Sequence, residues 1–231
     1  MSELIPLRAR DYTAKRYRTR AEWLAGRTQS IGASEVAQVM GIAPASWGTA
    51  LDLWERKRNP QQQQERTNAD MARGAAAEEH IRELLQIENP DLKVVDMTGI
   101  IFRSRKFPWL TCSLDAAIVH EDGTFSVVEI KDVRWTASWR HGLPSHYLYQ
   151  CVAQLLVTGA KEAVLVARLA FDFSQARRRI DRLCARTVRE VPFLVKRDEV
   201  RGQFAGIVRE TKEFWECVQS GNPPPERMAR R

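Results

Sequence analysis

The sequence predicts an α/β fold, a mixed central sheet flanked by helices, as one domain over residues 1–231. Three observations lead there. Segments with apolar residues at helical spacing are interleaved with short apolar runs of strand length; one pair of runs is joined by an Asp-Gly turn; and 44% hydrophobic residues in a chain of this length can fill one sizeable core. Within that domain the reading places a core over about 23–170, C-terminal helices over about 174–219 and a loose basic tail over 222–231, after Asn222-Pro223-Pro224-Pro225.

Taken in order, Ser34 stands before Val36, Val39 and Met40, a short helical pattern that stops at Gly41 and Pro44. Thr49 then caps a second helix through Leu53 and Trp54. The tract Gln61 to Gln64 lacks apolar periodicity and reads as an exposed loop. A helix from about Arg73 carries Ile81, Leu84 and Leu85 on one side and ends at Asn89-Pro90. Three strands are expected next, Gly99 to Arg103, Cys112 to Val119 and Thr124 to Lys131, the last two forming a hairpin through His120-Glu121-Asp122-Gly123. Pro144-Ser145 opens a helix with Tyr147, Leu148, Cys151, Val152, Leu155 and Leu156, stopped by Gly159. Ala163 to Ala170 reads as a buried strand, and Ser174 as the cap of a helix with Ile180, Leu183 and Cys184 inward and arginines outward.

No apolar stretch reaches the roughly 18 residues of a membrane span, and the start MSELIPLRARDY lacks a signal-peptide core, so a soluble intracellular protein is expected. Four cysteines scattered at 112, 151, 184 and 217 make neither a C-x-x-C pair nor a zinc cluster and read as reduced thiols. Lysine and arginine exceed aspartate and glutamate, 36 to 29, for a formal charge of +7, which fits a polyanionic partner. The basic residues concentrate at Arg8, Arg10, Lys15, Arg16, Arg18, Arg20 and Arg27, and again at Arg177, Arg178, Arg179, Arg182, Arg186 and Arg189.

Chemistry centres on the hairpin. Alternation along Thr124 to Lys131 puts Glu129 and Lys131 on one face and Val128 and Ile130 on the other, and the Asp-Gly turn brings Asp115 beside Glu129. Two carboxylates so placed are a hard-oxygen site for Mg²⁺ or Mn²⁺. A lysine at their side can orient or help deprotonate a water attacking a phosphodiester.

The chain resembles the lambda exonuclease and YqaJ-type phage recombination nucleases, a family of the PD-(D/E)xK nuclease fold. The likeness runs from about Trp23 to Arg168: Arg27 with Ile31-Gly32-Ala33-Ser34-Glu35-Val36, Leu53-Trp54-Glu55, Arg73-Gly74 with Glu78, Cys112-Ser113-Leu114-Asp115, Glu129-Ile130-Lys131, and Tyr147-Leu148-Tyr149-Gln150 with Thr158-Gly159. It implies metal ligation by Asp115, Glu129, the carbonyl of Ile130 and Glu78, with Lys131 as catalytic lysine, Gln150 behind the active strand, and a pair of Mg²⁺ (or Mn²⁺) ions in the active site. It also implies a 5′-phosphate pocket at Arg27 and Ser34, with Arg134 and Arg140 as DNA contacts. The implied activity is ATP-independent 5′→3′ digestion of linear double-stranded DNA to leave 3′ single strands for recombination. The implied assembly is a homotrimeric ring working with a single-strand annealing recombinase in the cytoplasm of a bacterial or phage-infected cell. An endonuclease or RecB-like nuclease of the same fold, and a catalytically silent DNA-binding module, are the alternatives. The family's Ser-Pro-Asp-Gly stands here as Ser113-Leu114-Asp115-Ala116, which alters the local backbone while keeping the carboxylate, and Ser104 falls where the founding member has a further acidic residue.

Overall fold

The computed structural model describes residues 5, 9–59, 69–133, 137–171 and 187–229. Strand β1 (Tyr12–Arg16) leads into helix α1 (Arg20–Thr28), whose start is fixed by a reciprocal cap: Thr19 Oγ1 accepts from the Glu22 amide, and Glu22 answers the Thr19 amide. Strand β2 (Ile31–Gly32), a 3₁₀ turn (Ala33–Glu35) and the short helix α2 (Val36–Val39) follow. Ser34 thus lies inside the 3₁₀ turn and does not cap the helix, since the chain is already wound one turn earlier. Helix α3 (Ala50–Arg58) is capped by Thr49 as expected, with Asp52 completing the box.

After α4 (Ala69–Glu88) come β3 (Lys93–Asp96), β4 (Ile100–Ser104), β5 (Leu110–Cys112), β6 (Ala116–Val119) and β7 (Phe125–Val133). Helix α5 (Ser145–Thr158) connects β7 to the parallel strand β8 (Glu162–Phe171), and β9 (Thr187–Lys196), α6 (Arg201–Ser220) and the single turn α7 (Glu226–Ala229) close the chain. Two sheets result, one ordered β1-β4-β5-β2 and one ordered β3-β6-β7-β8-β9.

Three expectations are corrected. The run Cys112 to Val119 is two strands in two sheets, because Ser113-Leu114-Asp115 carries the chain out of one and into the other while burying Leu114. Residues 187–196, expected to be helical, pair antiparallel with β8 over its whole length. The strand tolerates Pro192 because, among the described residues, β9 is the sheet edge, where a missing amide donor breaks no ladder on the outer side. The tail expected to be loose is docked through residue 229: Met228 is buried, and Arg227 pairs with Glu210 at 2.7 Å and with Glu213. The glutamine tract, the helix expected from Ser174, and Arg8, Arg177, Arg178, Arg179, Arg182, Cys184 and Arg186 lie outside the described residues.

Helix α5 lies between the sheets and packs against β4 and β5 on one side and β7 and β8 on the other. Its residues from Gln150 to Thr158 are all buried. Gly159 ends it at φ 75°, and a Cβ there would stand 2.5 Å from Asp11 Oδ2, so both the left-handed backbone and the close approach require glycine. Strand β7 is central and covered on both faces. Val127 and Val133 join the main core with α5, while Val128 and Ile130 join a second cluster with Ala77 and Ile81 of α4. Among the described residues no helix is long and apolar enough to cross a membrane, and Cys112, Cys151 and Cys217 are free thiols.

Candidate active site

Because β7 is buried on both sides, a charged side chain on its α5 face must find partners within the core. Glu129, only 2% exposed, has three. Lys131, two residues along the same face, donates to Oε1; Gln150 Nε2 donates to Oε1 at 2.5 Å; and Gln154 Nε2 donates to Oε2 at 2.5 Å. Gln150 and Gln154, one helical turn apart on α5, thus grip both carboxylate oxygens. Gln154 also reaches the Ser113 carbonyl at 3.3 Å, and its own Oε1 is buried with no partner among the described residues.

Asp115 arrives from the break between β5 and β6. The hairpin register sets Ala116 opposite Val128, so Asp115 comes level with Glu129, and its Oδ2 accepts from the Ile130 amide at 2.7 Å. Burial, and then the negative charge of Glu129, push the Asp115 carboxyl well above its ordinary value, with Lys131 acting in the opposite sense. Burial likewise raises Glu78 on α4, where Lys131 opposes and Glu129 reinforces the shift. Burial alone would lower Lys131, but Glu129 and Asp115 outweigh it and hold the amine as an ammonium. In this arrangement Lys131 is a donor, able to orient a water or neutralise a phosphate oxygen rather than take a proton. Its ammonium lies 5.4 Å from the centroid of the Tyr147 ring, which packs against Trp47, Trp139 and His146.

Among the described residues no three His, Cys, Asp or Glu side chains converge as a ligand group. The groups that could hold a cation here are two carboxylates, Asp115 and Glu129. Mg²⁺ is commonly held in this way, through one or two carboxylates with water and substrate phosphate filling the remaining positions. A cation between the two would offset the burial and the neighbouring Glu129 charge that together raise Asp115. Glu78 lines the same cleft without completing a three-carboxylate group.

The other half of the cleft is built by α1 and the 3₁₀ turn. Arg27 Nη2 donates to Ser34 Oγ at 3.0 Å, and its guanidinium sits 4.7 Å from the Trp23 ring centroid. Trp23 Nε1 in turn donates to Ser113 Oγ at 3.2 Å, tying α1 to the segment that delivers Asp115. Beneath them is an ion pair with Lys57 buried and Glu35 half-buried: Lys57 Nζ meets Glu35 Oε2 at 2.7 Å and donates to the Arg27 carbonyl at 3.0 Å, while Glu35 accepts from the Gly32 amide at 2.7 Å. Burial opposes the Glu35 charge, but Lys57 and Arg27 outweigh it and hold the carboxyl below the usual glutamate range. Burial also holds Lys57 below the usual lysine value against the pull of Glu35.

Arg27, Ser34, Glu78, Asp115, Glu129, Lys131 and Gln150 all line one cleft of about 630 Å³. Arg140 is exposed and is not among the lining residues, and Arg134 lies outside the described residues. Sequence reasoning missed Gln154, Trp23 and the Glu35–Lys57 pair. For Gln154 a signal existed, an amide one turn beyond Gln150 in an otherwise apolar helix.

Comparison with known proteins bears on the fold and the family. The alkaline exonuclease LHK-Exo from Laribacter hongkongensis superposes with a TM-score of 0.62 at 21% identity, covering 87% of this chain and 93% of that one. The same enzyme in complex with dAMP gives a TM-score of 0.63 at 22% identity over the same shares. A phage-related exonuclease from Haemophilus somnus 129PT gives a TM-score of 0.54 at 12% identity, covering 83% of this chain and 96% of that one. The search of curated proteins finds no match. These likenesses establish the fold, the PD-(D/E)xK-like core of the alkaline exonucleases. The family model of the YqaJ-like viral recombinase domain matches residues 22–161, a span that holds both halves of the cleft, and the chain belongs to that family.

Proposed function

We propose that this protein is a metal-dependent deoxyribonuclease that digests linear double-stranded DNA from its 5′ ends, without ATP, and leaves 3′ single strands for recombination by strand annealing. One observation carries the reading: a single cleft is lined on one side by Arg27 and Ser34 and on the other by Asp115, Glu129 and Lys131. The first side suits a terminal phosphate, because a guanidinium makes short charge-assisted bonds to phosphate oxygens. Asp115, Glu129 and the Ile130 carbonyl are the groups that would hold Mg²⁺ or Mn²⁺, one ion or two, with Glu78 nearby. Such an ion supplies polarisation of the phosphoryl oxygen and a water made nucleophilic at neutral pH. Lys131 orients the attacking water and offsets charge on the phosphate, Glu129 keeps Lys131 charged, and Gln150 and Gln154 fix Glu129. Assembly as a homotrimeric ring and cooperation with a single-strand annealing recombinase belong to the same proposal; light scattering of the purified protein tests the first.

The decisive assay uses a linear duplex labelled at the 5′ or the 3′ end, with and without Mg²⁺ and without ATP. The 5′ label should be released first and only with the metal, while cleavage of closed circular DNA would make the protein an endonuclease instead. A 5′-phosphorylated duplex should be digested about tenfold faster than its 5′-hydroxyl counterpart, the worth of one charge-assisted contact. Arg27→Ala should erase that difference, and equal wild-type rates on both ends would remove the pocket from the reading. Gln150→Ala and Gln154→Ala should each lower kcat about tenfold, because a loosened Glu129 misplaces the reacting groups. Unchanged kcat in both would reduce the two amides to packing residues.

A further inference from the structure

Along β1 and the residue that follows it, Thr13, Lys15 and Tyr17 succeed one another at alternate positions, and the antiparallel register sets Thr13 opposite Arg103 and Lys15 opposite Ile101 of β4. With Ser104, Arg105 and Pro108 they line a second groove of about 780 Å³. Tyr17 and Ile101 border both this groove and the cleft, so the two cavities meet at that pair. Tyr17 is wedged at the junction: a Cβ on Gly26 of α1 would stand 2.5 Å from its hydroxyl, and Lys15 Nζ lies 4.7 Å from its ring centroid.

Among the described residues the groove is lined by three cations and no carboxylate. Among the described residues Lys15, Arg103 and Arg105 form no ion pair, while main-chain carbonyls fix two of them: Arg103 donates to the Pro108 carbonyl at 2.5 Å and Arg105 Nε to the Tyr12 carbonyl at 3.3 Å. A guanidinium has five donors, so each retains several for an anion in the groove. Cations held in place, unpaired by carboxylates and set along two neighbouring strands suit the repeating phosphates of a polyanion. A cavity of about this size accepts a few nucleotides of one strand along its length.

We propose that this groove binds the backbone of single-stranded DNA and leads it past Tyr17 to or from the cleft. The direction of travel rests on the nuclease reading; the binding does not. The test is fluorescence anisotropy with a labelled oligo-dT of about 15 nucleotides, in EDTA so that no hydrolysis intervenes, over a range of salt. Lys15→Ala/Arg105→Ala, two exposed positions, should weaken binding about tenfold and flatten the dependence of log K on log salt by about 1.4, the share of two phosphate contacts on a single strand. Lys93→Ala/Arg201→Ala removes equal charge from exposed positions outside the groove and should shift affinity less than about twofold, roughly 0.4 kcal/mol. Equal losses in the two double variants would show a net-charge effect and overturn the groove, as would a groove variant that binds like wild type. A loss seen with blunt duplex but not with oligo-dT would also overturn it. Wild-type protein that binds oligo-dT through these residues yet digests no duplex in Mg²⁺ would overturn the nuclease reading and leave the groove standing.

Discussion

Asp115→Asn, Glu129→Gln and Lys131→Met should each lower the rate of duplex digestion about a thousandfold, roughly 4 kcal/mol of barrier. The alanine variants at all three positions should be as inactive. The two amide variants remove a negative charge at nearly constant volume. The methionine variant keeps the stem of Lys131 and removes the ammonium that Glu129 and Asp115 hold charged. Fold is checked by thermal unfolding. Asp115→Asn keeps a side-chain oxygen for the Ile130 amide, so a transition close to wild type is expected there. Any of the three variants retaining activity within about tenfold of wild type, about 1.4 kcal/mol, would sink the assignment of that residue.

Glu35→Gln should cost about 3 kcal/mol of stability at neutral pH, since it leaves the Lys57 ammonium buried with its charge unpaired. The pH dependence follows from the two shifts. A glutamate held below its unfolded value stabilises the fold fully above that unfolded value and loses the contribution as pH falls through the folded one. A lysine held below its unfolded value binds fewer protons folded than unfolded between the two values, so its part rises with pH on the alkaline side. Urea unfolding at acidic and neutral pH should therefore show an acid loss in wild type that is much reduced in Glu35→Gln. Glu35→Leu/Lys57→Met should recover most of the neutral-pH stability, because neither charge is then buried. A Glu35→Gln protein within about 1 kcal/mol of wild type at neutral pH would show the pair to behave as an exposed one.

Much of the site was legible because its signals are local. Alternation alone put Glu129 and Lys131 on one face, the Asp-Gly turn put Asp115 level with Glu129, and the Thr49 cap and the Gly159 stop lie where the residues indicated. What escaped depends on partners far along the chain. Trp23 and Ser113 are 90 residues apart, and Gln154 reaches a strand 25 residues away. Lys57, in the last turn of a helix rich in charge, reads as a solvated side chain until Glu35 is seen beside it. The break at Ser113-Leu114-Asp115 has no glycine or proline to mark it, and Leu114 continues the apolar run. The opening strand Tyr-Thr-Ala-Lys-Arg is too polar to announce itself, and Pro192 hides a strand that is permitted only at an edge.

The passage of the chain from one sheet to the other at Ser113-Leu114-Asp115 bears on how such a protein is made. Arg27 and Ser34 ride on one side of that passage, Glu129 and Lys131 on the other, and the amides that hold Glu129 come from the helix lying between. No partial assembly contains the whole set: a nascent chain with only its first sheet lacks Lys131, and one without α5 leaves Glu129 with neither amide. The tie between the two halves, Trp23 to Ser113, joins residues 90 apart and forms late in folding for entropic reasons. On the nuclease reading, an unfinished or misfolded copy cuts the DNA of the cell that makes it less well than a complete one, and full activity comes only when both sheets have closed on the helix.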